Sequence, residues 1–211
     1  KHGASMPSRH RSRLAGDDGT ALVESAFILP VMLTFLLGIF ELGYVYKDYQ
    51  AVENATQQGI RSSSIAGNVV TADYEILTSL KQGGSALSTG DVNRVVIFKA
   101  FGATSTVPAP CKTSASGLVG NLCNVYYPAD FNRPKAEFDC STGSAYEFSS
   151  PSRYWCPDSR KTAALADLGN GPPDWIGVYM SVEHRWLTRM FASTTTIEET
   201  SITRLEPATR T

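Results

Sequence analysis

The sequence predicts an α+β fold: one long N-terminal helix packed on a small antiparallel β-sheet, with a long disulfide-stapled loop region. Three observations carry this. An apolar run opens at Thr20 and lasts to Phe40 with a single acid, Glu24, inside it. Helical spacing of apolar and small residues then continues to Ala66. Further on, three stretches at 92–101, 177–186 and 194–205 are dense in β-branched and aromatic residues, and all four cysteines fall between the first and the second.

The chain has 211 residues, enough for one modest domain plus an anchor. Its formal net charge is −1, so no electrostatic case for a nucleic-acid partner arises. The charge is uneven, however. Residues 1–13 include Arg9, Arg11 and Arg13 and no acid, and the acids begin at Asp17 and Asp18. Met6 is a candidate translation start.

No residue from Ser25 to Phe40 is charged. At ~1.5 Å per residue, the stretch from Thr20 to Phe40 reaches ~30 Å as a helix, the thickness of a bilayer's hydrocarbon core. Pro30 does not forbid this, because membrane helices tolerate proline where neighbours satisfy the freed carbonyl. Three readings compete. A cleaved secretory signal would have a shorter core and a small-x-small site, whereas here Glu41-Leu42-Gly43-Tyr44 follows. A plain anchor fits the arginines before the run, which predict a cytoplasmic N-terminus and an exported C-terminal part. It leaves Glu24 without a role, and a charge at membrane depth usually has one. The third reading is a prepilin-type signal, cut after Gly19 so that Thr20 carries a new ammonium. Glu24 can then neutralise the ammonium of an adjacent subunit inside an apolar fibre core, where an unpaired charge is costly.

Beyond the run, Leu42, Val45, Tyr49, Val52, Thr56, Gly59, Ser63 and Ala66 recur at three- and four-residue spacing. Charged and amide side chains lie mostly on the other faces, as in an amphipathic helix. The stripe becomes small toward its end, which lets another backbone approach. Gly67-Asn68 is a stop signal. One helix is therefore expected from about Leu22 to Ala66.

Gly19-Thr-Ala-Leu-Val-Glu-Ser-Ala-Phe-Ile-Leu-Pro-Val-Met-Leu, Leu37-Gly-Ile-Phe-Glu-Leu-Gly-Tyr and Gln50-Ala-Val-Glu-Asn-Ala-Thr-Gln-Gln-Gly-Ile-Arg resemble the N-terminal domain of TadE-like proteins. These are minor pilins, or pseudopilins, of the Tad (tight adherence) Flp-pilus system. The resemblance spans about residues 16–66. It implies that Gly19 is the cleavage-site glycine, Thr20 the mature first residue and Glu24 the fifth-position acid. It implies a pilin-like helix, and a role in assembling or priming a Tad-type, type IV-like pilus used for surface adherence. The implied partners are the major Flp-type pilin, a companion minor pilin, the pilus assembly platform, a prepilin peptidase and the membrane. The implied location is the bacterial inner membrane, single-pass, with the C-terminal domain exported or carried in the pilus. The alternative is a single-pass surface protein whose disulfide-rich region binds a ligand, with no place in a fibre.

The expected organisation is a basic leader at 1–19, the helix at 20–66 and an exported α+β domain at 67–211. Within the last, Thr71–Leu80 reads as a short helix capped by Thr71, with Asp73 and Glu75 in its first turn and Gly83-Gly84 ending it. Val92–Phe101, Gly177–Trp186 and Thr194–Leu205 read as strands. The stretch 102–175 between the first two is long for a loop and needs stapling. An even number of cysteines in an exported segment suggests two disulfides. Short loops close most readily, which favours Cys111–Cys123 and Cys140–Cys156. Asp158–Leu168 reads as a short helix in this insertion. Its aromatics, Tyr126, Tyr127, Phe131, Phe138, Tyr146, Phe148, Tyr154 and Trp155, form either a satellite core around the disulfides or a surface that binds sugars or proteins.

No catalytic motif such as G-x-S-x-G, H-E-x-x-H or a P-loop is present, so no enzyme and no cofactor is expected. His184 is the one histidine outside the leader, and a lone strand histidine is usually structural. Asp130, Asp139, Asp158 and Asp174 lack the spacing of a calcium loop, and no metal is expected.

Overall fold

The computed structural model describes residues 17–113, 122–140, 154–163, 172–189 and 192–206. The chain divides into two compact units, 1–43 and 44–211. Helix α1 (Asp17–Ala66) supplies all of the described part of the first unit and opens the second. Helix α2 (Ala72–Gly83) follows. Then come β1 (Val92–Ala100), a five-residue helix α3 (Ala109–Thr113), β2 (Cys123–Tyr126), β3 (Trp175–Arg185) and β4 (Thr194–Arg204). The four strands form one antiparallel sheet in the order β2-β1-β3-β4. The architecture is α+β, as the sequence predicts. The strand β2 is an addition to that expectation, since it lies inside the stretch read as loop.

α1 ends where Gly67 takes a φ of +56°, a left-handed conformation that costs glycine nothing. Its N–H donates to the Ser63 carbonyl at 3.1 Å. Within the second unit, α1 buries Val52, Ala55, Thr56, Gly59, Ile60 and Ser63. Tyr49, placed on the inner stripe from its spacing, is exposed instead. The small residues admit α2. A Cβ on Gly83 would meet the Ala55 Cα at 2.9 Å, and one on Gly59 would meet the Leu80 side chain at 2.8 Å. The backbone that approaches the narrow end of the stripe thus belongs to this same chain.

Both faces of the sheet are covered. On one, Val95, Ile97, Tyr126, Ile176, Val178, Met180, Ile197 and Leu205 pack with Val52 and Ile60 of α1 and Ile76, Leu77 and Leu80 of α2. On the other, Val96, Phe98, Ala100, Val125 and Tyr179 meet Val107 and the Cys111 and Cys123 side chains. Phe98 lies over Gly177, its cross-strand partner, so closely that a Cβ there would sit 2.2 Å from the ring. Lys112 of α3 closes this second face. Its Nζ lies 2.7 Å from Glu198 Oε2 of β4 and 4.7 Å from the Tyr179 ring centroid. Burial, and then a hydrogen bond with Glu198, push the Tyr179 hydroxyl up to about 12. The hydrogen bonds from Lys112 and Tyr179 hold the Glu198 carboxyl below its ordinary value.

Thr71 precedes α2 but makes no side-chain cap. Asp73, expected to serve only the helix N-terminus, is buried and joins distant segments. Its Oδ2 accepts from Asn124 Nδ2 and from the Tyr126 hydroxyl, both at 2.6 Å, and its Oδ1 accepts from Arg160 Nη2 at 2.7 Å. Asn124 also pairs with the backbone of Trp155, donating to its carbonyl at 2.9 Å and accepting from its N–H at 2.8 Å. Arg160 is fully buried, with its guanidinium 4.6 Å from the Trp155 ring centroid. A fully buried guanidinium is tolerable only beside an anion.

Three outcomes are expected for the full chain in denaturant titrations. Asp73→Ala should lower stability by ~3–5 kcal/mol, because it strands Arg160. Adding Arg160→Met should return part of that loss, giving a coupling of ~0.5–3 kcal/mol. Gly177→Ala should cost ~1–3 kcal/mol through displacement of the Phe98 ring.

Candidate functional site

In the first unit, described from residue 17 onward, the side chains of 19–43 are exposed apart from half-buried Gly38 and buried Glu41. Leu22, Phe27, Phe35, Ile39 and Phe40 are among them, each more than 60 % exposed. Water would not tolerate such a continuous surface on a free helix, and lipid or other apolar helices would. The segment within Gly19–Ala66 reaches a mean hydropathy of 2.1, and the helix is long and apolar enough to cross a membrane. It passes through Pro30 without a break. Thr34 Oγ1 donates to the Pro30 carbonyl at 2.8 Å, so this hydroxyl is satisfied inside the helix, as a hydrocarbon surrounding demands.

Gly19, Thr20 and Glu24 lie in the first turns of this helix, all exposed. Nothing stands within 4 Å of a Cβ placed on Gly19, Gly38 or Gly43, so these glycines leave open small patches on the apolar surface. Arg9, Arg11 and Arg13 lie outside the described residues. The geometry can present an acid on an apolar helix to another apolar body. Thr20 and Glu24 are four residues apart, one turn of a helix, so they occupy one face.

In the second unit the structure places the remaining residues of interest in structural roles. His184 is buried, and its Nδ1 lies 2.7 Å from Asp48 Oδ2 of α1, with Lys47 Nζ 2.9 Å from the same carboxylate's Oδ1. Asp130 accepts from the Tyr127 N–H at 2.7 Å and pairs with Arg133 at 2.7 Å. Asp174 accepts from the Lys161 N–H at 2.9 Å and pairs with Lys99 at 3.2 Å. No group of three or more potential ligands for a metal gathers among the described residues.

Disulfides join Cys111 to Cys123 and Cys140 to Cys156. The first fastens α3 to β2 under the second face of the sheet. The second fastens the turn after Phe138 to the segment that carries Trp155 and Arg160. Phe138, Tyr126 and Trp155 are buried in the main core, with Phe138 stacked on Tyr126 at 5.9 Å. They form no separate satellite core, and these three are not available as a binding surface. Tyr127, Phe131 and Tyr154 are half-buried, while Tyr146 and Phe148 lie outside the described residues. The expected helix at Asp158–Leu168 is a short 3-10 turn, Pro157–Ser159, at its start, and its second half lies outside the described residues.

The fold and the helix together define an α+β domain carried on an apolar helix of membrane-crossing length. Residues 19–61 match the family model described as TadE-like protein. The similarity to TadE-like proteins is confined to that segment, which begins at Gly19 and takes in Glu24. No curated protein and no solved structure matches the chain.

Opening Cys140–Cys156 by a double Cys→Ser substitution should lower stability by ~3 kcal/mol, as expected for a closed loop of that size. Trypsin digestion of the folded full chain should then cut in the 141–163 region at lower protease concentration than in the wild type. Unchanged proteolysis and unchanged denaturation would remove that bond from the account.

Proposed function

We propose that this protein is a minor pilin, or pseudopilin, of a Tad-type pilus. The single observation that carries the reading is the TadE-like segment that opens at Gly19 with Glu24 on an exposed apolar stretch of helix. In this reading a prepilin peptidase cuts on the cytoplasmic side, between Gly19 and Thr20. The helix stays on the mature chain as its membrane anchor. It later packs among the helices of other subunits. Its partners are the major Flp-type pilin, a companion minor pilin and the assembly platform in the membrane. The second unit is exported, which agrees with its two disulfides.

Glu24 gives the reading its physical content. A free ammonium at Thr20 and a carboxylate at Glu24 each carry a high desolvation cost in an apolar bundle. Two subunits offset by about one turn can pair the ammonium of one with the carboxylate of the other, which makes the axial register specific. The role is one of assembly and not of catalysis.

N-terminal sequencing of the membrane-extracted protein, from cells with an active prepilin peptidase, tests the reading. A chain that starts at Thr20 is the expected result, and one that still carries residues before Gly19 would defeat the processing step. Loss of piliation on deletion, restored by wild type and not by Glu24→Ala, is the matching cellular outcome.

A further inference from the structure

Among the described residues, β4 is the long strand of the sheet with an open side. It is an end strand in the order β2-β1-β3-β4 and runs for 11 residues. The opposite end strand, β2, has four residues, and its outer side is used: Tyr154 N–H donates to the Cys123 carbonyl at 3.3 Å, and Asn124 holds the Trp155 backbone. No described strand pairs with β4 except β3.

The register tells which groups of β4 face outward. Leu205 N–H donates to the Asp174 carbonyl, and Trp186 N–H donates to the Ser193 carbonyl. In an antiparallel pair, residues so bonded alternate with residues that turn both backbone groups away from the partner. With Trp175 opposite Arg204 and Arg185 opposite Thr194, the odd-numbered residues of β4 bond to β3. The N–H and C=O groups of Thr196, Glu198, Thr200 and Ile202 therefore point away from the sheet. One independent contact fits this alternation. The carbonyl of even-numbered Arg204 turns outward and accepts from Ser64 Oγ of α1 at 3.4 Å.

Soluble proteins protect such edges with lysine, proline, a bulge or a covering segment. From Thr194 to Arg204 there is no proline and no lysine, and the strand is rich in β-branched residues. A groove of about 330 Å³ runs beside the C-terminal half of the edge, lined by Ile60, Arg61, Ser64 and Ile65 of α1 with Thr203 and Glu206. Ile65 is 78 % exposed there. A strand added to β4 would direct alternate side chains into this groove.

Charge decides among occupants. Glu198 and Glu199 sit at the middle of β4. Glu198 is already engaged by Lys112 on the far face. Glu199, opposite Met180, lies on the α1 face, the same face as the groove. In a β4–β4 pair of two copies, centred antiparallel, the acids of both would come opposite or diagonal to one another, which is unfavourable. We infer that the edge of β4 is a docking site for an extended segment of a different chain, with apolar residues toward Ile60 and Ile65 and a basic residue opposite Glu199. This inference stands apart from the processing of the N-terminal helix and needs no pilus.

The full chain in detergent can be tested with the labelled peptide Thr-Val-Thr-Arg-Thr-Val-Thr-Val, which puts Arg and Val on one face. Fluorescence anisotropy should show binding that is several-fold weaker when Glu replaces Arg. Thr200→Pro removes an outward N–H while sparing the β3–β4 ladder, and should weaken binding roughly tenfold. On the wild-type chain, hydrogen exchange at Glu198, Thr200 and Ile202 should slow when peptide is present, a readout that holds even if the proline variant misfolds. Exchange at these amides that the peptide leaves unchanged would overturn the proposal. So would peptide-free dimerisation that already protects them, since the edge would then belong to a second copy.

Discussion

A carboxylate buried at the start of a helix must find partners, and those of Asp73 come from two distant stretches of chain. Asn124 and Tyr126 reach it from β2, Arg160 reaches it from the insertion, and Asn124 in turn grips the backbone of Trp155. Each of these groups would be costly to bury alone. Together they hold one another, with Arg160 engaged through Nη2 while its buried Nε and Nη1 have no hydrogen-bond partner among the described residues, and place α2, the short strand β2 and the segment beside the Cys140–Cys156 bond in fixed relation. The apolar neighbours then close around them, with Phe138 on Tyr126 and the Arg160 guanidinium on Trp155.

This arrangement explains how the described parts of 102–175 belong to one body with the sheet. The disulfides limit where its ends can go. The aromatic side chains supply the burial. The polar network selects one register for β2 against β1, with Asn124 opposite Ile97 on the face that α2 covers. A shift by one residue would turn Asn124 to the Val96 and Phe98 face, away from Asp73. The first unit obeys an opposite rule. Its helix satisfies its Thr34 hydroxyl internally and leaves its apolar side chains outside, the pattern suited to a surrounding of lipid or other helices.

Much of this was legible from period and composition. The apolar run, the stop at Gly67 and the strands at 92–100, 175–185 and 194–204 rest on local signals of helix, glycine and β-branched residues. What was not legible depended on distant partners. Cys123-Asn-Val-Tyr126 is too short and too polar at Asn124 to read as a strand, and becomes one because Val95–Phe98 pairs with it. Asp73 looked like an ordinary first-turn acid, because nothing local marks the arrival of Arg160. Tyr49 fits the helical stripe by spacing and yet is exposed, while Asp48 beside it turns inward to His184. At the N-terminal site the residues are legible by motif alone. Gly19, Thr20 and Glu24 stand exposed on the helix, and what they do is a matter for another molecule.

Native-state hydrogen exchange on the full chain addresses the central claim most directly. If the Asp73 network binds α2, β2 and the insertion into one cooperative body, the amides of Val125, Tyr126 and Leu77 should open only with those of Val96 and Val178 in the central strands. Their opening free energies should then converge on the global value. Exchange of β2 and the Trp155 segment through a separate, much lower-energy opening, with β1 and β3 still protected, would contradict the claim.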